Sequence, residues 1–120
     1  MEYLLSIKVA VENFSYFNTP FCCIGHSHIP LIFEKSGDDI RLHSFENNEA
    51  IELHGNRLII NPGGVGQPRD NDPRASYVLY DSEANTVRHF RVEYPVNITQ
   101  AKMRDKKFSE FLIARLSQGC

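Results

Sequence analysis

The chain has 120 residues and a mass of 13.8 kDa, which is enough for one hydrophobic core and too little for two. Hydrophobic residues make up 42% and charged residues 23%, and the net charge of −2 indicates neither a basic nucleic-acid-binding surface nor an acidic tail. The apolar runs are far shorter than the roughly 20 residues of a membrane span, and the first residues lack the pattern of a signal peptide. We therefore expect a cytoplasmic protein with no membrane partner and no specific nucleic-acid partner.

The hydrophobic pattern predicts the elements in chain order. Helical spacing predicts a helix over residues 2–17 that ends before Pro20, and because no capping residue precedes it, we expect an upstream part to be missing. Short runs with partial alternation predict strands at 21–24, 31–35, 39–45, 49–53, 57–60, 76–81 and 86–94, with turns at 36–38 and 46–48 and a hairpin formed by the last two strands.

Two further helices are predicted at the end of the chain. A capping-box pattern at residues 97–100 opens one helix to about residue 105, and Ser109 should cap a second helix that ends before Gly119. The order of one helix, about seven strands and one or two helices is typical of an α+β fold or of half an α/β sandwich.

The three cysteines do not form a disulfide framework or a zinc knuckle. Cys22 and Cys23 are adjacent in sequence, and Cys120 is the last residue. Neighbouring cysteines rarely satisfy disulfide geometry, so we predict that Cys22 and Cys23 are small apolar residues of a buried strand.

His26 and His28 are the strongest candidate site residues. They follow an apolar strand and Gly25. In an extended segment, residues i and i+2 point to the same side, so both imidazoles could reach one metal ion or two adjacent ions. The alternative is a loop with two solvated histidines.

A glycine-rich segment, NPGGVGQPRDNDPRA at residues 61–75, follows another apolar strand. Its backbone amides could hold an anion, and Arg69 could pair with a phosphate. The alternative is a connecting loop whose glycines satisfy turn geometry. Because no helix follows at once, the segment is not a P-loop.

Together, GHSHIP at residues 25–30 and RLIINPGGVGQPRDNDPRASY at residues 57–77 resemble the C-terminal part of the calcineurin-like metallophosphoesterases. Members of the small bacterial and archaeal branch carry GH-x-H-x-P followed by NPGSVGQPRD-x-DPRA-x-Y. Residues 3–19 resemble the helix before the GH-x-H strand. Residues 77–94 resemble the closing strands, and the stretch through residues 114–116 resembles the C-terminal helices. The resemblance covers essentially the whole chain, but only the final part of a family member.

The resemblance implies that residues 1–120 are a partial metallophosphoesterase domain, the C-terminal part of a four-layer α/β/β/α sandwich. It implies two divalent metal ions (manganese, iron, zinc or similar) that activate a hydroxide to hydrolyse a phosphomonoester or phosphodiester. His28 would bind the first metal and His26 the second. No catalytic or substrate-binding residue is assigned. Gly64 replaces the serine that is usual in NPGS.

The sequence departs from the family in lacking the DxH, GD and GNH motifs before Gly25. Gly37-Asp38 and Gly55-Asn56 lie downstream and are not equivalents. Because two histidines are too few to fix a metal pair, we expect little or no hydrolysis by the isolated chain with Mn²⁺. The alternative is a non-catalytic fragment or subunit that needs a second chain with those motifs. Its exposed apolar surface would then produce homo-oligomers or tight binding to that half.

The remaining polar groups have ordinary interpretations. His43, His54 and His89 are predicted to be surface or half-buried residues, and the basic cluster at residues 102–107 a solvated helix face. A jelly-roll metal protein of the cupin type would also begin with H-x-H. Its glutamate would lie nearer to His28 than Glu34 does, and the glycine-rich segment has no place in that pattern.

Overall fold

A computed structural model describes residues 3–45 and 49–120, and in this part of the chain it contains three helices and seven strands. The helices are α1 (Ile7–Asn13), α2 (Val96–Asp105) and α3 (Glu110–Gln118). The strands are β1 (Phe21–Cys23), β2 (Pro30–Ser36), β3 (Asp39–His43), β4 (Ala50–Glu52), β5 (Arg57–Pro62), β6 (Ala75–Asp81) and β7 (Thr86–Val92). The turn predicted at residues 46–48 lies outside the described residues.

The strands form two sheets, one in the order β1-β5-β2-β3 and the other in the order β4-β7-β6. β1 runs parallel to β5, and the other neighbouring strands are antiparallel. The predicted hairpin is confirmed, because β6 pairs with β7 and places Tyr77 opposite Phe90. Two sheets combined with helices confirm the predicted α+β class.

The two faces of the first sheet bury different clusters of side chains. On one face, Phe33 packs in a cluster with Phe14 of α1. On the other, Ile32 packs in a cluster with Val87 of the second sheet. Successive residues of a strand point to opposite faces, so the first sheet lies between α1 and the second sheet. This layering explains why β5 is apolar without alternation, since both of its faces are buried.

Helix α1 is shorter than predicted, because its cap lies inside the predicted span. Ser6 is the N-cap, and its hydroxyl oxygen accepts a hydrogen bond from the backbone N–H of Val9 at 3.4 Å. The expectation that no capping residue exists was therefore wrong. The helical spacing rested on apolar residues that include Ile7, Val11 and Phe14 and that were expected to form one buried face. This expectation was partly wrong, because Phe14 is buried, whereas Ile7 and Val11 are 46% and 54% exposed.

Two other local predictions were wrong. Cys22 is half-buried and Cys23 is exposed, because β1 is an edge strand whose sole partner among the described strands is β5. Helix α2 begins after Pro95 without a side-chain cap, and Gln100 instead donates to the carbonyl oxygen of Ile113 in α3 at 2.9 Å. The α3 prediction was better, since Ser109 is the N-cap residue, although its side chain makes no capping hydrogen bond, and Gly119 ends that helix in the left-handed conformation.

Candidate functional site

The two candidate loops leave the same edge of the first sheet. β1 and β5 are parallel neighbours, with Cys23 opposite Ile60. The GHSH segment follows β1 and the glycine-rich segment follows β5, so both start from carboxyl ends of parallel strands. Ligand sites of open α/β sheets commonly form at this edge.

Both histidines of the GHSH segment have a left-handed backbone. The φ angle is 77° at His26 and 61° at His28. The segment is therefore not extended as expected, and the simple i, i+2 argument does not describe it. Left-handed backbone is costly for residues other than glycine, and such residues cluster at functional sites because the surroundings hold them in place.

Asn61 at the end of β5 joins the two loops. Its side chain is completely buried, and its amide nitrogen donates to Ser27 Oγ at 2.8 Å and to the carbonyl oxygen of Gly25 at 3.2 Å. Its amide oxygen accepts from the backbone N–H of Gly63 at 3.0 Å. One amide group thus fixes the start of both loops.

His28 is held from both sides by the glycine-rich loop. Its Nδ1 lies 2.7 Å from the carbonyl oxygen of Gln67, and its own carbonyl oxygen accepts from the backbone N–H of Arg69 at 3.2 Å. A carbonyl can only accept, so Nδ1 carries the proton and the lone pair of a neutral ring lies on Nε2. A metal-bound histidine is ordinarily held in this way.

His26 is more exposed and is covered by an aromatic ring. Tyr3 stacks on its imidazole with the ring centres 4.5 Å apart and the planes 8° from parallel. Arg69 extends towards this pair and donates to the Tyr3 hydroxyl at 3.5 Å and to the side-chain oxygen of Gln67 at 3.3 Å. The arginine predicted to meet a phosphate therefore lies beside the candidate histidines.

The glycine-rich loop is tied to the second sheet by a buried hydroxyl. Ser76 Oγ donates to the carbonyl oxygen of Pro62 at 2.6 Å, and His89 Nε2 lies 2.7 Å from Ser76 Oγ. Burial, and next the positive charge of Arg91, lower the pKa of His89. No sequence pattern pointed to Ser76. The prediction that His89 is a surface or half-buried residue was wrong, because His89 is only 4% exposed.

The end of the loop carries an ionic cluster. Arg91 is nearly buried and contacts Asp70, with Asp72 Oδ2 3.8 Å away. Arg74 binds Asp72 through its Nε and Nη2 atoms. These contacts, led by the hydrogen bond from Arg74, lower the pKa of Asp72 to about 2.

The other histidines lie apart from this site. His43 pairs with Glu34 at 2.8 Å, and His54 lies 3.2 Å from the side chain of Asn85. Among residues 3–45 and 49–120, no three histidine, cysteine or acidic side chains come together in a group that could hold a metal ion. His26 and His28 are suitable ligand types, but the described residues do not complete a metal site.

Comparison with known proteins identifies the fold. No protein-family profile matches this sequence. A crystal structure of a metallophosphoesterase from Sphaerobacter thermophilus is similar with a TM-score of 0.94 and 41% identity, over 100% of this chain and 50% of that chain. This chain has the fold of part of a metallophosphoesterase.

A second relative is the uncharacterized protein MJ0912 of Methanocaldococcus jannaschii. It is 35% identical over 118 residues, which are 98% of this chain and 46% of that protein. The chain thus spans about half the length of the relatives that it matches. In the part of the chain that the structure describes, no helix is long and apolar enough to cross a membrane.

Proposed function

We propose that this chain supplies the GHSH and glycine-rich loops of a metal-dependent phosphoesterase. The proposal is carried by one observation: His28 donates its Nδ1 proton to the Gln67 carbonyl, which directs the Nε2 lone pair away from the loop. The metallophosphoesterase that is 41% identical to this chain supports the same function.

In this proposal, two divalent cations are bound. His28 provides an imidazole nitrogen as a ligand to the first cation, and His26 provides one to the second. Such cations lower the pKa of a bound water and stabilise the developing charge on a phosphoryl group. The work of this chain is to orient its two ligands: Gln67 and Arg69 hold His28, and Tyr3 holds the ring plane of His26. Imidazole suits manganese, iron and zinc alike, so the metals stay open.

The proposed substrate is a phosphomonoester or a phosphodiester. Arg69 lies next to the Tyr3–His26 pair, and its guanidinium offers a planar set of donors to phosphate oxygens. The three free thiols favour a reducing compartment, so we place the activity in the cytoplasm.

We further propose that the remaining ligands come from the half of a metallophosphoesterase that this chain does not match. Two features of this chain leave surface for such a partner. β1 pairs with β5 alone among the described strands, and Ile7 and Val11 of α1 are about half exposed. The free side of an edge strand carries unpaired backbone N–H and C=O groups, which can pair with a strand of another chain.

Mixing this chain with the unmatched half of the Sphaerobacter thermophilus protein tests both proposals. We expect a stable heterodimer that hydrolyses bis-p-nitrophenyl phosphate with Mn²⁺, while the chain alone has little or no activity. His28→Ala and His26→Ala should reduce the rate at least about 100-fold, beyond what is usual for supporting residues. His54→Ala, which removes a distant exposed histidine, should have no effect.

Three results would contradict these proposals. Equal activity of the His28→Ala heterodimer would exclude the assigned ligands. Robust metal-dependent turnover by the chain alone, abolished by His28→Ala, would show that a second half is unnecessary. A monodisperse homodimer that does not exchange with the added half would assign the apolar surface to a second copy.

A further inference from the structure

Ser76 and His89 lie in the second sheet, yet their hydrogen bonds end at the glycine-rich loop. Ser76 is 2% exposed and His89 is 4% exposed. A serine hydroxyl has a single proton, and that of Ser76 goes to the carbonyl oxygen of Pro62. The short contact with His89 Nε2 must then use a proton of the imidazole. The relay runs in one direction, from His89 through Ser76 to Pro62.

Ser76 also forms a hydrogen bond with Gly64, two positions beyond Pro62. Its backbone N–H donates to the carbonyl oxygen of Gly64 at 3.1 Å. Ser76 therefore binds the backbone on both sides of Gly63, whose φ is +83°. A Cβ at Gly63 would lie 2.5 Å from Ser76 Oγ, so this close approach requires glycine.

The clamped backbone lies directly against His28. A Cβ placed on Gly64 would be 3.2 Å from His28 Cβ and 3.3 Å from His28 Cγ. Three residues further on, the Gln67 carbonyl receives the Nδ1 proton of His28. The position of the glycine-rich loop thus sets the space around the His28 imidazole. It also places the Gln67 carbonyl that fixes the tautomer of that ring.

We infer that Ser76 and His89 are positioning residues that act through the Pro62–Gln67 backbone to hold His28 in its Nδ1–H tautomer. The inference rests on the proposed role of His28 as a ligand, since a ligand needs one unprotonated ring nitrogen and Nδ1 of His28 donates to Gln67, which leaves Nε2. The lowered pKa of His89 agrees with it, because a buried neutral ring with its proton on Nε2 is the donor that the relay needs.

The test reads the tautomer directly, by long-range ¹⁵N–¹H spectra of the imidazoles in the metal-free 120-residue chain at a pH where the rings are neutral. In the wild type, we expect the Nδ1–H form at His28 and the Nε2–H form at His89. Ser76→Ala and His89→Leu should shift His28 towards the Nε2–H form. His89→Gln, whose amide can donate to Ser76, should restore the wild-type signal.

Val87→Ala is the matched control, because Val87 is buried in the same strand as His89 and takes no part in the relay. It should lower stability and leave the tautomer of His28 unchanged. A His28 that keeps its Nδ1–H form in folded Ser76→Ala and His89→Leu would overturn the inference. If those variants do not fold, the Nδ1–H form at His89 in the wild type would overturn it instead.

The same variants separate this inference from the proposed function. Metal content is measured on the purified heterodimer. If Ser76→Ala changes the tautomer of His28 but the heterodimer binds no metal, the positioning role is confirmed and the proposed phosphoesterase function is refuted. If the heterodimer binds metal but Ser76→Ala leaves the tautomer of His28 unchanged, the proposed function is supported and the positioning role is refuted.

Discussion

The amide nitrogen of Asn61 donates to the hydroxyl oxygen of Ser27 at 2.8 Å, and both side chains are buried. This contact joins residues 34 positions apart and connects the ends of two parallel strands. Ser27 lies between two histidines with left-handed backbone. Its burial therefore anchors the centre of a strained segment while His26 and His28 stay accessible on either side.

Asn61→Ala should destabilise the chain by about 1–3 kcal/mol, because buried partners in both loops lose their hydrogen bonds. Urea unfolding followed by circular dichroism measures the change in the free energy of unfolding. Asn97→Ala is a suitable control, since Asn97 is exposed at the start of α2. A loss for Asn61→Ala no larger than that of the control would show that the network contributes little.

Gly63→Ala should be more harmful than the same change at Gly37. Both glycines have positive φ, so each substitution carries the cost of about 1–2 kcal/mol for left-handed backbone. At Gly63 the new methyl group would also overlap Ser76 Oγ, whereas nothing lies within 4 Å at Gly37. Chemical denaturation of the two variants compares them, and equal losses would contradict the close packing of Ser76.

Arg57→Lys should destabilise the chain by about 1.5–3 kcal/mol. The guanidinium donates to the carbonyl oxygens of Phe14 and Phe17 and lies 4.5 Å from the centre of the Phe17 ring. Both hydrogen bonds come from Nη2, and a lysine ammonium has no planar group that could stack on the Phe17 ring while it makes them. Arg88→Lys on the exposed face of β7 is the control. In thermal unfolding, the melting temperature of Arg88→Lys should equal that of the wild type, and that of Arg57→Lys should be lower.

Asp72 should contribute stability that disappears in acid. Its folded pKa of about 2 lies below the usual 3.8, so the unfolded chain binds a proton first as the pH falls. Stability from this group is complete above about pH 4 and is lost towards pH 2, with a slope of at most about 1.4 kcal/mol per pH unit.

Unfolding curves of the Asp72→Asn variant at several pH values test this prediction. The variant should be less stable than the wild type at pH 7, and the difference should shrink to a small fraction of that value near pH 2. Asp38→Asn, in an exposed turn, makes the same change in net charge and serves as the control. A difference between Asp72→Asn and wild type that is as large at pH 2 as at pH 7 would mean that the ionised Asp72 carboxylate is not the source.

Local chemistry allowed much of the fold to be predicted. The positions of all seven strands agree with the structure to within about two residues, because alternating and continuous apolar runs record which faces are buried. The predicted helix starts failed where the hydrogen bond of one side chain matters more than the hydrophobic pattern. Ser6 starts α1 inside a longer apolar run, and Gln100 bonds to α3 instead of capping α2.

The candidate site was predicted in its residue types but not in its supports. Histidines after a strand and a glycine-rich segment after another strand pointed to His26, His28 and Arg69. Nothing in the pattern indicated that Ser76 and His89 support the loop. Ser76 lies 14 positions from Pro62 and 13 from His89, and the hydrogen bonds between them depend on the β6–β7 hairpin lying against the loop. The assignment of His26 and His28 as metal ligands stays a prediction.

The sequence by itself determined the strands, the turn at residues 36–38 and the two motifs, because propensity, alternation and glycine placement act over a few residues. Only the tertiary structure decided which nitrogen of His28 carries its proton and which backbone holds it. That choice depends on the Gln67 carbonyl 39 positions away, which reaches the ring because β1 and β5 lie side by side and their loops leave the same edge.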